Sequence, residues 1–95
     1  MRVIDVDSQV YPPLLLEVTN HPDRLYVRGE SKVLLEKMVA VVGSRKMSDK
    51  GEEVTKRVVK KLVDMEMVVV SGLARGVDSV AHAECLRLGG RTVAV

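Results

Sequence analysis

The stretch Met38-Val39-Ala40-Val41-Val42-Gly43-Ser44-Arg45 decides how this chain is read. Five apolar residues, three of them β-branched, run without interruption and stop at a glycine, the pattern of a strand buried on both faces. A helix is expected next. Ser48 suits its N-cap, and Asp49, Glu52 and Glu53 precede Lys56, Arg57, Lys60 and Lys61, the charge order that complements a helix dipole. Val54, Val58, Leu62 and Met65 recur at helical spacing and are predicted to form the stripe that covers a sheet.

The same grammar repeats downstream. Met67–Val70 reads as a second buried strand ending at Ser71-Gly72, and a second helix opens at Gly76 or Asp78. That helix carries Val77, Ala81, Cys85 and Leu88 on one side and closes at Gly89-Gly90. Thr92–Val95 begins a third strand. The order β-α-β-α-β predicts an α/β protein: a partial Rossmann-like, three-layer fold with a mostly parallel sheet. The third strand can flank either of the first two.

Upstream, Tyr11-Pro12-Pro13 fixes a stiff turn, Leu14, Leu15, Leu16 and Val18 suit a short helical turn, and Asn20-His21-Pro22-Asp23 reads as a loop. Leu25, Tyr26 and Val27 before Gly29 suggest a short strand. The expected organisation is one domain over residues 1–95, with residues 1–37 leading into a βαβαβ unit at 38–95. A three-stranded parallel sheet leaves edges and faces open, so it is expected either to form a homo-oligomer or to be part of something longer.

Composition narrows the function classes. Hydrophobic residues make up 46% and charged residues 29%, as in an ordinary globular domain. Phe and Trp are absent and only Tyr11 and Tyr26 are aromatic, so the core must use aliphatic residues and base stacking should contribute little. A net charge of +2 is too small to mark a nucleic-acid binder, so the placement of the charges must carry the case. The one cysteine, Cys85, allows no internal disulfide, and Met1–Val10 lacks the unbroken apolar run of a signal peptide or membrane span. A cytoplasmic setting is expected.

Ligands of open α/β sheets bind beyond the carboxyl ends of the strands, where two loops of this chain fall. The first is Gly43-Ser44-Arg45-Lys46-Met47-Ser48; the second is Ser71-Gly72-Leu73-Ala74-Arg75-Gly76. Gly43, Gly72 and Gly76 admit close backbone approach, Ser44, Ser48 and Ser71 offer hydroxyls, and Arg45, Lys46 and Arg75 bring cations suited to phosphate. If the two strands are neighbours, Arg45 and Arg75 converge on one anion site. Neither loop matches G-x-x-x-x-G-K-[ST] or G-x-G-x-x-G, which argues against ATP or NAD held in those modes; no cofactor or metal site is expected. His82 reads as a helix histidine bonded to a neighbouring loop, Asp78 as a cap that also shapes the Arg75 turn, and Cys85 as core filling. Met38, Met47, Met65 and Met67 read as packing residues, and Lys56, Arg57, Lys60 and Lys61 as a solvated helix face.

Val41-Val42-Gly43-Ser44-Arg45, Ser48 with Gly51, Val70 to Asp78, Ala81-His82 and Gly89 to Val95 together resemble the signature of the DNA-processing protein A (DprA/Smf) family. Tyr11-Pro12 through Leu25-Tyr26-Val27-Arg28-Gly29 is similar to that family's lead-in. The resemblance implies a non-enzymatic protein that binds single-stranded DNA and helps load a RecA-type recombinase on it during natural transformation, with Arg45 and Arg75 on phosphates. Where family members usually carry an aromatic residue before the glycine of the first helix, this chain has Lys50. Competing expectations are a nucleotide or phosphate sensor, an inactive fragment, or an enzyme such as a nucleoside-monophosphate phosphoribohydrolase; the last needs a glycine-rich loop that is not present.

Overall fold

A computed structural model describes all of residues 1–95. It divides into two compact units, Met1–Glu36 and Lys37–Val95. In the first, β1 (Arg2–Asp5) pairs antiparallel with β2 (Arg24–Val27) in the register Arg2 to Val27 through Asp5 to Arg24. Pro13 opens the short α1 (Pro13–Leu16) at a position where its missing N–H costs nothing. A 3-10 turn at Ser31–Leu35 follows β2, its second amide engaged by Glu30, whose carboxylate accepts from Lys32 N–H at 3.2 Å. Ile4 and Tyr11 are buried. The Tyr11 hydroxyl donates to the Pro22 carbonyl at 2.6 Å, and burial, then the charge of Asp23, pushes its phenol above the ordinary range. β1 was not among the elements expected from the sequence: of its four residues only Ile4 is buried, so no alternation marks it, and its identity comes from pairing with β2.

The second unit holds β3 (Met38–Ala40), α2 (Asp49–Asp64), β4 (Val68–Ser71), α3 (Val77–Arg87) and β5 (Thr92–Ala94). The three strands are parallel in the order β3-β4-β5, which settles the third strand's place beside β4. The sheet therefore follows the expected α/β, Rossmann-like plan. Helices α2 and α3 pack on β4 and on each other, and Val59, Val69, Ala81 and Cys85 form the core, with Val41, Leu62 and Val63 against it. Each such valine contributes about 1.5–3 kcal/mol by leaving water.

Two sequence expectations change here. The apolar run at β3 is not buried on both faces in this chain: β3 pairs with β4 alone, Met38 and Val39 are only partly covered, and Ala40 and Val42 are exposed. The doubly covered strand is β4, where Val68 and Val69 are fully buried. On α2 the buried stripe is Thr55 and Val59 with Leu62 and Val63 beside them, rather than Val54, Val58, Leu62 and Met65. Val54, Val58 and Met65 face solvent, so Met65 is not a packing residue. Thr55 can occupy a buried position because its hydroxyl donates to the Gly51 carbonyl one turn back at 2.8 Å.

Other local readings hold. Ser48 caps α2, its Oγ accepting from Gly51 N–H at 3.0 Å. Lys56, Arg57 and Lys60 pair with Glu52, Glu53 and Asp64 of the same helix, four residues apart, as befits a solvated face. Cys85 is fully buried, its thiol pushed up by burial and donating to the Arg91 carbonyl at 3.3 Å. No helix is long and apolar enough to cross a membrane.

Glu84, buried on α3, accepts two hydrogen bonds of 2.7 Å from Arg87. Those bonds hold its carboxyl below the ordinary range, outweighing the opposing effect of burial, with the Arg87 and Lys56 charges assisting. A carboxylate depressed in the folded state adds stability above its unfolded value, near 4.5, and loses it as pH falls through the folded value. Thermal melts should therefore shift downward on acidification below that range, and Arg87→Ala should flatten this limb of the profile. An acid limb unaltered by the substitution would contradict the assignment.

Candidate functional site

The parallel pairing of β3 with β4 sends the Gly43–Ser48 and Ser71–Gly76 turns out of the same end of the sheet. They do more than share an end. Val77 N–H, at the start of α3, donates to the Ser44 carbonyl at 3.1 Å, so the second turn is hydrogen-bonded to the first. Gly76, the N-cap of α3, has φ 79° and ψ −129°, a backbone conformation reserved for glycine. A Cβ there would lie 2.2 Å from the Ser44 carbonyl oxygen and 2.8 Å from the Arg45 carbonyl. A Cβ on Gly43 would stand 2.9 Å from the Val77 side chain. The two backbones cross in contact, and glycine is what permits the crossing.

Arg45 and Arg75 are thereby carried on adjoining chain segments. Both are exposed, as is Lys46, and no carboxylate lies within ion-pair distance of any of the three. This contrasts with α2, where three cations are matched by acids on their own helix. The turns thus concentrate uncompensated positive charge at the carboxyl end of the sheet, where an anion would meet it.

The hydroxyl and amide groups of the predicted site are divided. Ser71 is buried, and its hydroxyl donates to the Val41 carbonyl at 2.5 Å, tying β4 to the end of β3. Gly72 N–H is held by the Asp78 carboxylate at 3.2 Å. Ser44 Oγ accepts from Lys46 N–H at 3.1 Å and donates to the Lys46 carbonyl at 2.7 Å, shaping its own turn. Ser71, Gly72 and Ser44 therefore build the loops, while the exposed cations Arg45, Lys46 and Arg75 face outward. Asp78 does not cap α3, whose N-cap is Gly76, but it does shape the Arg75 turn as expected, its carboxylate reaching back to Gly72 N–H.

Residues with a clear part in the loop that sequence reasoning left aside are Ser79 and Thr92. Ser79 Oγ donates to the Ala74 carbonyl at 2.6 Å. Thr92 Oγ1 lies 2.6 Å from His82 Nδ1, and His82 Nε2 lies 2.7 Å from the Gly72 carbonyl. A serine two positions into a helix after a glycine turn is the signal that could have flagged Ser79; Thr92 carries none.

The family model of DNA recombination-mediator protein A matches residues 2–95. The chain belongs to this family. Protein Smf of Escherichia coli (strain K12) is 42% identical over 94 residues, covering 99% of this chain and 25% of the relative. The DNA processing protein DprA of Streptococcus pneumoniae is 42% identical over 85 residues, covering 90% of this chain and 30% of that protein. The X-ray structure of DNA processing protein A from Streptococcus pneumoniae superposes with a TM-score of 0.92 at 38% identity, over 99% of this chain and 33% of that one. The chain thus spans between a quarter and a third of the length of these recombination-mediator relatives, and the two basic turns lie within the matched stretch.

Proposed function

We propose that the crossed turns grip single-stranded DNA by its phosphates, with Arg45 and Arg75 as the principal contacts, Lys46 beside them, and the exposed Ser48 near the start of α2 as a secondary contact. One observation carries the reading: two exposed, uncompensated arginines sit on loops whose backbones touch. The family's role as a DNA recombination mediator supports it. Guanidinium groups follow a phosphate backbone without reading bases, so binding is sequence-independent. Tyr11 is buried, which leaves Tyr26 as the single aromatic face open to solvent and makes stacking a minor contribution. On this reading the chain acts by binding rather than catalysis, in the cytoplasm, as part of a protein that presents DNA to a RecA-type recombinase.

The rival is a sensor of mononucleotides or inorganic phosphate at the same cations. A ligand that binds the folded state raises Tm by an amount that grows with the logarithm of its concentration over its Kd. Thermal melts with poly-dT, deoxythymidine monophosphate and inorganic phosphate at equal phosphate concentration separate the two. The oligonucleotide should give the largest rise. A larger rise with the mononucleotide would replace the DNA reading with the sensor.

A further inference from the structure

Three side chains from the first two turns of α3 hold the loop that precedes it. Asp78 accepts from Gly72 N–H at 3.2 Å, Ser79 donates to the Ala74 carbonyl at 2.6 Å, and His82 Nε2 sits 2.7 Å from the Gly72 carbonyl. Asp78 and His82 stand four residues apart on one helix face, so both polar groups of Gly72 are taken by successive turns of the same helix. A carbonyl oxygen can only accept, so His82 Nε2 carries a proton and is the donor. The other ring nitrogen meets Thr92 Oγ1 at 2.6 Å, and that hydroxyl also stands 2.9 Å from the Val69 carbonyl, so its single proton is shared between the two acceptors. The imidazole therefore bridges the first residue of β5 to the turn leaving β4.

We propose that His82 is a positioning residue for the second basic turn: it fixes the Gly72 peptide so that the segment carrying Arg75 is already ordered when a phosphate arrives. This rests on the phosphate-binding reading above. A turn containing Gly72 and Gly76 would otherwise sample many conformations, and ordering it at the moment of binding would subtract from affinity. Anchoring from α3 transfers that cost to folding. Arg75 lies between two anchored points, the Ala74 carbonyl on Ser79 and the Gly76 backbone against Ser44.

The test compares His82→Gln with His82→Asn. A glutamine amide nitrogen reaches about as far as Nε2 and can still donate to Gly72; an asparagine amide reaches only the Nδ1 position, near Thr92. Both remove the ring, so a merely structural histidine would lose stability and affinity in parallel in the two variants. Positioning predicts a split: poly-dT binding about five- to tenfold weaker in His82→Asn, and within about twofold of the parent in His82→Gln. Equal affinities in the two variants, with Arg75→Ala still weakening binding, would overturn the positioning role alone. If Arg45→Ala and Arg75→Ala both leave binding unchanged, the phosphate reading fails and this inference falls with it. Hydrogen exchange of the unaltered chain supplies a check independent of any variant. Gly72 N–H should be protected before poly-dT is added; protection that arises only after addition would refute a preordered loop.

Discussion

Gly76→Ala is expected to lower stability by about 3 kcal/mol or more, because strain and collision add at one site. The residue has φ 79°, where any L side chain is strained, and its new Cβ would meet the Ser44 carbonyl oxygen at 2.2 Å. That oxygen belongs to the backbone and accepts Val77 N–H, so it cannot retreat without breaking the bond that joins the turns. Gly89→Ala is the matched control: φ is 76°, but nothing lies within 4 Å of the added Cβ. It should cost only the strain, about 1 kcal/mol. Chemical denaturation of the two variants reads the difference directly. Equal losses would mean that the turns do not cross in contact. Gly43→Ala should fall between them, because its Cβ meets the Val77 side chain at 2.9 Å, less closely than the 2.2 Å approach at Gly76, and its backbone is outside the left-handed region.

Replacing Arg45 and Arg75 together by Ala should weaken binding of poly-dT by about 100-fold or more, since each charge-assisted contact is worth about 1.5–3 kcal/mol. The folded state should be little affected, because both side chains are exposed and unpaired. Other single-stranded sequences should lose affinity to the same degree. Fluorescence anisotropy with oligonucleotides of different base composition measures this, and a loss confined to one composition would point to base readout instead. The converse control is Arg57→Ala on α2. Its guanidinium is already paired with Glu53, so its removal should leave binding nearly unchanged.

The parallel unit was legible because its signals are local. Apolar runs ending in glycine located β3 and β4, and the run after Gly89-Gly90 located β5, each to within two residues, and Ser48 with its acidic first turn located the start of α2. Adjacency of β3 and β4 then placed both basic turns at one end of the sheet. Burial was less legible, because it depends on neighbours that periodicity does not see. Thr55 occupies the covered stripe of α2 through a hydrogen bond to its own helix, while the apolar Val54 and Val58 face water. β3 reads as a strand buried on both faces, yet in this chain Ala40 and Val42 are exposed.

Within the loops, residue type suggested a site but did not reveal how its donors are used. Ser71, Ser44 and Gly72 all carry the right groups for phosphate, and all three spend them on Val41, Lys46 and Asp78. The Ser71 bond joins residues thirty apart and follows from tertiary approach, while the Ser44 and Gly72 bonds are made within their own turn and to the helix that follows it. The histidine on α3 was the exception: its expected role, bonding a neighbouring loop, is the one the structure displays.

The measurement that bears most directly on the shared phosphate grip is the salt dependence of poly-dT affinity, taken with the parent chain and with the doubly substituted Arg45→Ala, Arg75→Ala form. Neutralising a few phosphates predicts a logarithmic slope that is clearly negative but shallower than about −3 for the parent, and a still shallower slope once both guanidinium groups are gone. A parent affinity indifferent to salt, or a slope unchanged by the double substitution, would contradict the account.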